Sequence, residues 1–367
     1  MKKVKLFLAC VLVGILVALT YFLFEAVVRN SITFIWDTTF DTTNIRILVL
    51  PLCLVGALIF FGVQHMLDPN SENLEEHGLG GGLGEISVKK LGIVILVGYF
   101  SLVAGASLGP EAILVPSSII IGALVGTRLF KSHNPGVRAL AAAGIIALMA
   151  AFFHSFLIGV ISVLLVTKQT KAKLSPALVL IAVLASASSV LTLRVIDPAN
   201  KYFNFPDFTW KAALIDLVFG LMLLACGYMA TFALKLSYTL FVNMRARAKR
   251  TLWWQQAILA GIGLGLLYLL GGSLVEFTGN ESIEPLLMKA STLGIFGVAW
   301  VFAVKILVIG WSKAMGYRGG LVFPMIFVAS TFVAMSQVIN PEVNFGVGLI
   351  AAMVGVLAAE KKAKILF

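Results

Sequence analysis

Long apolar runs follow one another almost from end to end of this 367-residue chain. They lie at about 4–28, 46–64, 91–108, 111–127, 137–153, 156–167, 174–195, 211–243, 252–272, 286–311, 320–339 and 344–359. A helix needs about 20 mostly apolar residues to cross a bilayer's hydrocarbon core. With 60% hydrophobic residues, the chain holds material for at most about eleven crossings. Charged residues make up only 12%, about half the share of a soluble domain. An ordinary water-soluble protein, a disordered chain and a nucleic-acid-binding domain are therefore excluded. The net charge of +11 then reflects basic loops held on the cytoplasmic side of a membrane. The expected fold class is an all-α polytopic membrane protein, with the lipid bilayer as its surroundings.

The start, Met1-Lys2-Lys3 before an apolar run, imitates a signal peptide. The run at 6–24 is too long for such a peptide's apolar region, and no small-residue cleavage site follows. Residues 4–28 are read as a retained first transmembrane helix. Basic loops occur at the N-terminus, around Lys89 and Lys90, at 131–138, at 168–173 and at 245–250. The loops 30–45, 196–210 and 273–285 are poor in Lys and Arg, and the last carries Glu276, Glu281 and Glu284. This asymmetry predicts a cytoplasmic N-terminus in a cell (inner or plasma) membrane.

Several runs, notably 111–127, 156–167 and 344–359, are shorter than a full crossing. Short or Gly/Pro-broken segments suggest helices that stop inside the membrane, where such backbone survives only if buried in protein or lining a polar cavity. A weak internal repeat accompanies them. Gly105-Ala106-Ser107-Leu108-Gly109-Pro110-Glu111 precedes Ala141-Ala142-Ala143-Gly144, and Gly316-Tyr317-Arg318-Gly319-Gly320-Leu321-Val322-Phe323-Pro324 precedes Ala351-Ala352-Met353-Val354-Gly355. In each copy a glycine turn comes about 30 residues before a small-residue helix, as in transporters and channels with a site at a repeat interface. Gly/Ala-rich helices alone could also give this likeness. The expected division is a first half-repeat at 1–195 and a second at 196–367.

Glu111 is the most informative residue. A carboxylate between two apolar stretches is costly and is a functional candidate by default. Proline is favoured in a helix's first turn, so Gly109-Pro110 starts a helix at or just before Glu111. Helix N-termini carry free N–H groups and partial positive charge and bind anions, with which a carboxylate would compete. Glu111 is thus either a gate on an anion site or a capping carboxylate of its own helix. In the turn Gly319-Gly320-Leu321-Val322-Phe323-Pro324, glycines permit close approach and unusual φ, for binding or merely for helix packing. The cluster 78–85 alone reads as a linker or a binding loop. Lys305 and Asp216 could line a polar cavity, and Lys305 could instead snorkel or pair with a carbonyl. His154 reads as a helix-end residue rather than a proton shuttle. The histidines lack metal spacing, and Cys10, Cys53 and Cys226 are scattered, so neither a metal nor a disulfide framework is expected. No Walker loop or H-E-x-x-H pattern is present, so no enzyme and no cofactor are expected.

Gly105 to Ala112 resembles the G-(K/R)-E-G-P motif of the CLC chloride channel and transporter family, and Arg318 to Pro324 resembles its G-x-F-x-P motif. The S-L-G-P-E form is similar to a divergent bacterial branch of ion-transport proteins. The resemblance implies a homodimer of inverted-repeat subunits with broken and re-entrant helices, each carrying its own pathway for an inorganic anion, chloride foremost. It matches Glu111 to the gating glutamate and the N–H groups of Glu111, Ala112, Leu321 and Val322 to the anion donors. Gly109, Pro110, Gly319, Gly320, Phe323 and Pro324 form the pore turns. The family's G-S-G-I-P motif aligns with 80–84 and puts Gly81 where a serine would contact the ion, which leaves anion preference open. Pro110 replaces the basic residue. The second, proton-passing glutamate aligns with Val166, and no carboxylate lies between Glu111 and Asp197, which favours a passive channel over a proton-coupled antiporter. The chain turns to Glu360-Lys361-Lys362-Ala363-Lys364 and stops at Phe367, before the family's final helices, so the resemblance implies a C-terminally truncated chain. A non-conducting truncated protein is the remaining alternative.

Overall fold

The computed structural model describes residues 2–37, 46–69, 86–130, 135–170, 173–198, 214–247 and 252–365. Thirteen α-helices occur among them. In order they are α1 (Lys2–Ile32), α2 (Val49–Leu67), α3 (Val88–Val103), α4 (Glu111–Leu129), α5 (Pro135–Phe152), α6 (Phe156–Ile161) and α7 (Val163–Thr170). There follow α8 (Pro176–Ile196), α9 (Leu214–Arg247), α10 (Trp253–Gly271), α11 (Ile283–Met315), α12 (Val322–Ile339) and α13 (Phe345–Ala363). Nine helical stretches among the described residues are long and apolar enough to cross a membrane. The protein is a multi-pass membrane protein.

Local chemistry explains several helix starts. Ser155, Ser175 and Asn344 accept N–H bonds from Ile158, Leu178 and Val347, relieving donors that the first turn leaves unpaired. Pro176 follows Ser175 at the first helical position, where its missing N–H costs nothing. The apolar run 156–167 divides at Ser162 into α6 and α7. The run 286–311 is interrupted at Gly294, whose φ of 66° and ψ of 178° are not helical.

The chain forms two compact units. The first comprises residues 1–34, 66–99 and 112–202. Within it, α1 packs on α5 and α8, and α5 packs on α8. Small residues set the spacing: a Cβ on Gly122 would strike the Leu140 carbonyl, and one on Gly144 the Ser118 carbonyl. Such close approach replaces hydrophobic driving force in lipid. Ser189 Oγ adds a bond to Ala147 O at 2.8 Å.

The second unit comprises 35–65, 100–111 and 203–367. Here α9 packs on α11 and α13, and α11 packs on α10 and α12. Gly227 abuts the Ala352 carbonyl and Gly355 the Leu224 carbonyl. Asp216 Oδ1 accepts the Asn344 N–H at 2.8 Å, so this carboxylate ties α9 to the start of α13. Many large apolar side chains of both units are exposed, Leu191, Val195, Leu217 and Phe296 among them, as a bilayer solvent allows. These units interleave along the sequence.

Candidate functional site

Two turns of the second unit begin where an apolar helix ends. After α3, Gly105 takes a φ of 97°; after α11, Gly316 takes a φ of 96°. Only glycine adopts this backbone cheaply. The next helices start at Glu111 and Val322. Between the turns, Ser107 N–H donates to Ser312 Oγ at 3.2 Å, and Arg318 N–H donates to Ser101 Oγ at 2.7 Å. Gly109 and Gly320 exchange N–H···O bonds at 2.8 and 2.7 Å. Every counterpart is offset by 211 positions: 101 and 312, 105 and 316, 107 and 318, 109 and 320, 111 and 322. The two backbones therefore form a two-fold frame about the Gly109–Gly320 bridge.

Glu111 breaks this symmetry, since its counterpart is Val322. Its carboxylate crosses the frame, and Oε1 accepts from Val322 N–H at 2.7 Å and Phe323 N–H at 3.3 Å. In the first turn of α12, Pro324 has no N–H and Met325 N–H already bonds Leu321 O at 3.1 Å. Val322 and Phe323 are thus the donors of that turn open to an outside acceptor, and Glu111 takes both. The helix dipole adds partial positive charge at this point. A carboxylate seated there occupies the place a free anion would take. Glu111 Oε2 is buried and has no hydrogen-bond partner among the described residues.

The glycines divide their work. A Cβ on Gly109 or Gly320 would overlap the Glu111 carboxyl group, and one on Gly319 would run into Leu108. None of these three has a positive φ, so they supply room for the carboxylate rather than unusual backbone. Leu321 is the N-cap of α12, Phe323 and Pro324 are buried in its first turn, and Pro110 is buried just before α4. Ala112 is the second residue of α4 and belongs to the first compact unit. Gly81 lies outside the described residues.

Ser101 and Ser312 did not figure among the sequence candidates. Each is a serine four positions before a turn glycine, near the end of a largely apolar helix, and that pairing was the available signal. The Phe323 N–H is likewise a donor that the sequence of the turn does not single out. Lys305 is fully buried and bonds backbone carbonyls, not Glu111. His154 sits at the α5–α6 junction of the first unit with a φ of 46°, edge-on to Tyr21.

Residues 71–366 match the sequence profile of the voltage-gated chloride channel family. The chain belongs to the CLC family. Among solved structures, this CLC protein is similar to a slow cyanobacterial Cl⁻/H⁺ antiporter, with a TM-score of 0.71 and 18% identity, covering 97% of this chain and 94% of that one. It is also similar to a CLC-type fluoride/proton antiporter, with a TM-score of 0.63 and 19% identity over 98% of this chain and 86% of that one. At such identity the likeness shows the fold. A Salmonella schwarzengrund relative named "Putative ion-transport protein YfeO" is 25% identical over 285 residues, 74% of this chain. The chain spans 65% of that relative's length.

Proposed function

We propose that this CLC protein is an anion channel, with chloride the foremost candidate ion and Glu111 the gate. The carrying observation is the seat of the Glu111 carboxylate on the Val322 and Phe323 N–H groups. An ionised carboxylate holds those donors. Protonation removes its charge and weakens both bonds, freeing the helix terminus for an anion. Flux therefore rises as pH falls. The freed Val322 and Phe323 N–H groups, with those of Glu111 and Leu321, serve as the ion's donors. Fixed dipoles offset desolvation without the tight, slow-release binding of a buried lysine. The absence of a carboxylate between Glu111 and Asp197 supports passive conduction over proton coupling. The loop charges support a cytoplasmic N-terminus in a cell membrane, and the family resemblance supports a homodimer.

The test is efflux of chloride, and separately fluoride, from proteoliposomes, with internal pH recorded in the same sample and voltage clamped by valinomycin. Anion flux without proton movement is expected. Proton movement locked to the anion gradient would replace the channel with an antiporter. No flux from folded protein would overturn both.

A further inference from the structure

We infer that Lys305 is a positioning residue for the gate: it grips the 275–277 carbonyls and thereby braces the backbone that carries Glu111. The inference rests on the gating reading of Glu111 and adds to it a device on the opposite side of the turn.

Lys305 lies in α11 with no exposed surface. Its Nζ donates to Val275 O at 3.1 Å, Glu276 O at 3.4 Å and Phe277 O at 2.7 Å. An ammonium has three protons, so these carbonyls account for all of them and leave none to hold an ion. The Phe327 ring lies 5.0 Å away, a further favourable contact for the cation. Gly279 makes room beside it, since a Cβ there would come 3.1 Å from Nζ and overlap Phe327. A buried charge met by carbonyls is costly and would be retained only for a purpose. The Glu276 carboxylate meets Arg46 at 2.7 Å.

The gripped segment is the one that touches the first turn. Phe277 O also accepts Ser107 Oγ at 2.7 Å. Phe277 N–H donates to Tyr268 Oη at 2.8 Å, and that hydroxyl donates to Gly105 O at 2.5 Å. Thr278 Oγ1 donates to Leu108 O at 2.8 Å. Residues 105, 107 and 108, which lead into Glu111, are thus each bonded to the 268–278 stretch. Phe277 has a φ of 50°, a backbone that a bulky residue holds only when its surroundings over-determine it. The Lys305 and Ser107 bonds on its carbonyl, the Tyr268 bond on its N–H and the Trp36 ring 5.0 Å away do so.

The test combines amide hydrogen exchange and flux in four proteins: the parent, Lys305→Met, Glu111→Gln and the double variant. Methionine keeps the apolar stem and removes the charge. Lys305→Met is expected to speed exchange across 105–112 by about tenfold. It should also raise chloride flux by about fivefold in the parent and leave Glu111→Gln unchanged, since residues acting through one network are not additive. An equal change in both backgrounds would mean that Lys305 acts on the ion through its charge and would overturn the inference. Should Lys305→Met fail to fold, Thr278→Val decides, because it cuts the brace without touching the cation. It is expected to speed the same exchange and to alter flux only with Glu111 present. Unchanged exchange in Thr278→Val, or in a folded Lys305→Met, would overturn the brace whatever Glu111→Gln does. A Glu111→Gln flux with the parent's rate and pH dependence would instead remove the gate and leave exchange to judge the brace.

Discussion

The turns 105–111 and 316–322 share a backbone and differ in chemistry. Both open on a positive-φ glycine, both give an N–H to the other's serine, and both end at a helix start. One helix start carries a carboxylate and the other a valine. The carboxylate serves not its own copy but the donors of its counterpart. The bracing differs too. The first turn is held by the 268–278 stretch with Lys305 behind it. At the second, Arg245 Nη1 donates to Ala314 O at 3.0 Å and Gln256 Nε2 to Met315 O at 2.7 Å, which caps the end of α11. A symmetric scaffold thus becomes a directional site through one side chain, and the fixed half presents donors while the other presents a competitor for them.

The comparison is most severely tested by removing that side chain's charge. Glu111→Gln should raise anion flux at neutral pH by about tenfold or more and flatten its pH dependence, since hydrogen bonds to a charged group are worth about 1.5–3 kcal/mol each. A pH profile like the parent's would leave Glu111 as a helix cap only. Next, Gly320→Ala places a methyl where the carboxyl group sits. Flux should rise by about fivefold at neutral pH in the parent and hardly change in Glu111→Gln, because the residues share one contact. A rise in both would mean that the glycine shapes the pathway itself. Smaller effects separate scaffold from gate. Ser101→Ala and Ser312→Ala should each lower stability to thermal unfolding in detergent by about 1 kcal/mol, and by similar amounts if the frame is two-fold in energy as well as geometry. Smallest, Gln256→Leu should cost about 0.5 kcal/mol and leave the pH dependence of flux intact, since it loosens only the second turn's brace.

Much of this was legible beforehand. The apolar runs correspond to the observed helices because a bilayer demands internally satisfied, apolar-faced helices, a local rule. Gly109-Pro110 placed the start of α4 at Glu111 for an equally local reason. The break at Gly294 was not anticipated within its apolar run, since a glycine in a helix-like pattern is tolerated as often as it interrupts. Ser101 and Ser312 escaped notice because hydroxyls in membrane helices usually bond their own backbone, as Ser330 does to Ile326 O at 2.9 Å. Their function required a partner 217 and 205 positions away.

The sequence by itself determined a multi-pass helical membrane protein, two glycine turns, and a costly carboxylate at the head of one helix. It did so because hydropathy, proline and glycine act within a few residues of where they stand. Only the tertiary structure decided that the carboxylate caps the other turn's helix, that Gly109 and Gly320 make room for it, and that Lys305 spends its protons on three carbonyls. Those outcomes depend on which helix ends meet in space, and N–H donors carry no sequence label: every residue but proline offers the same group.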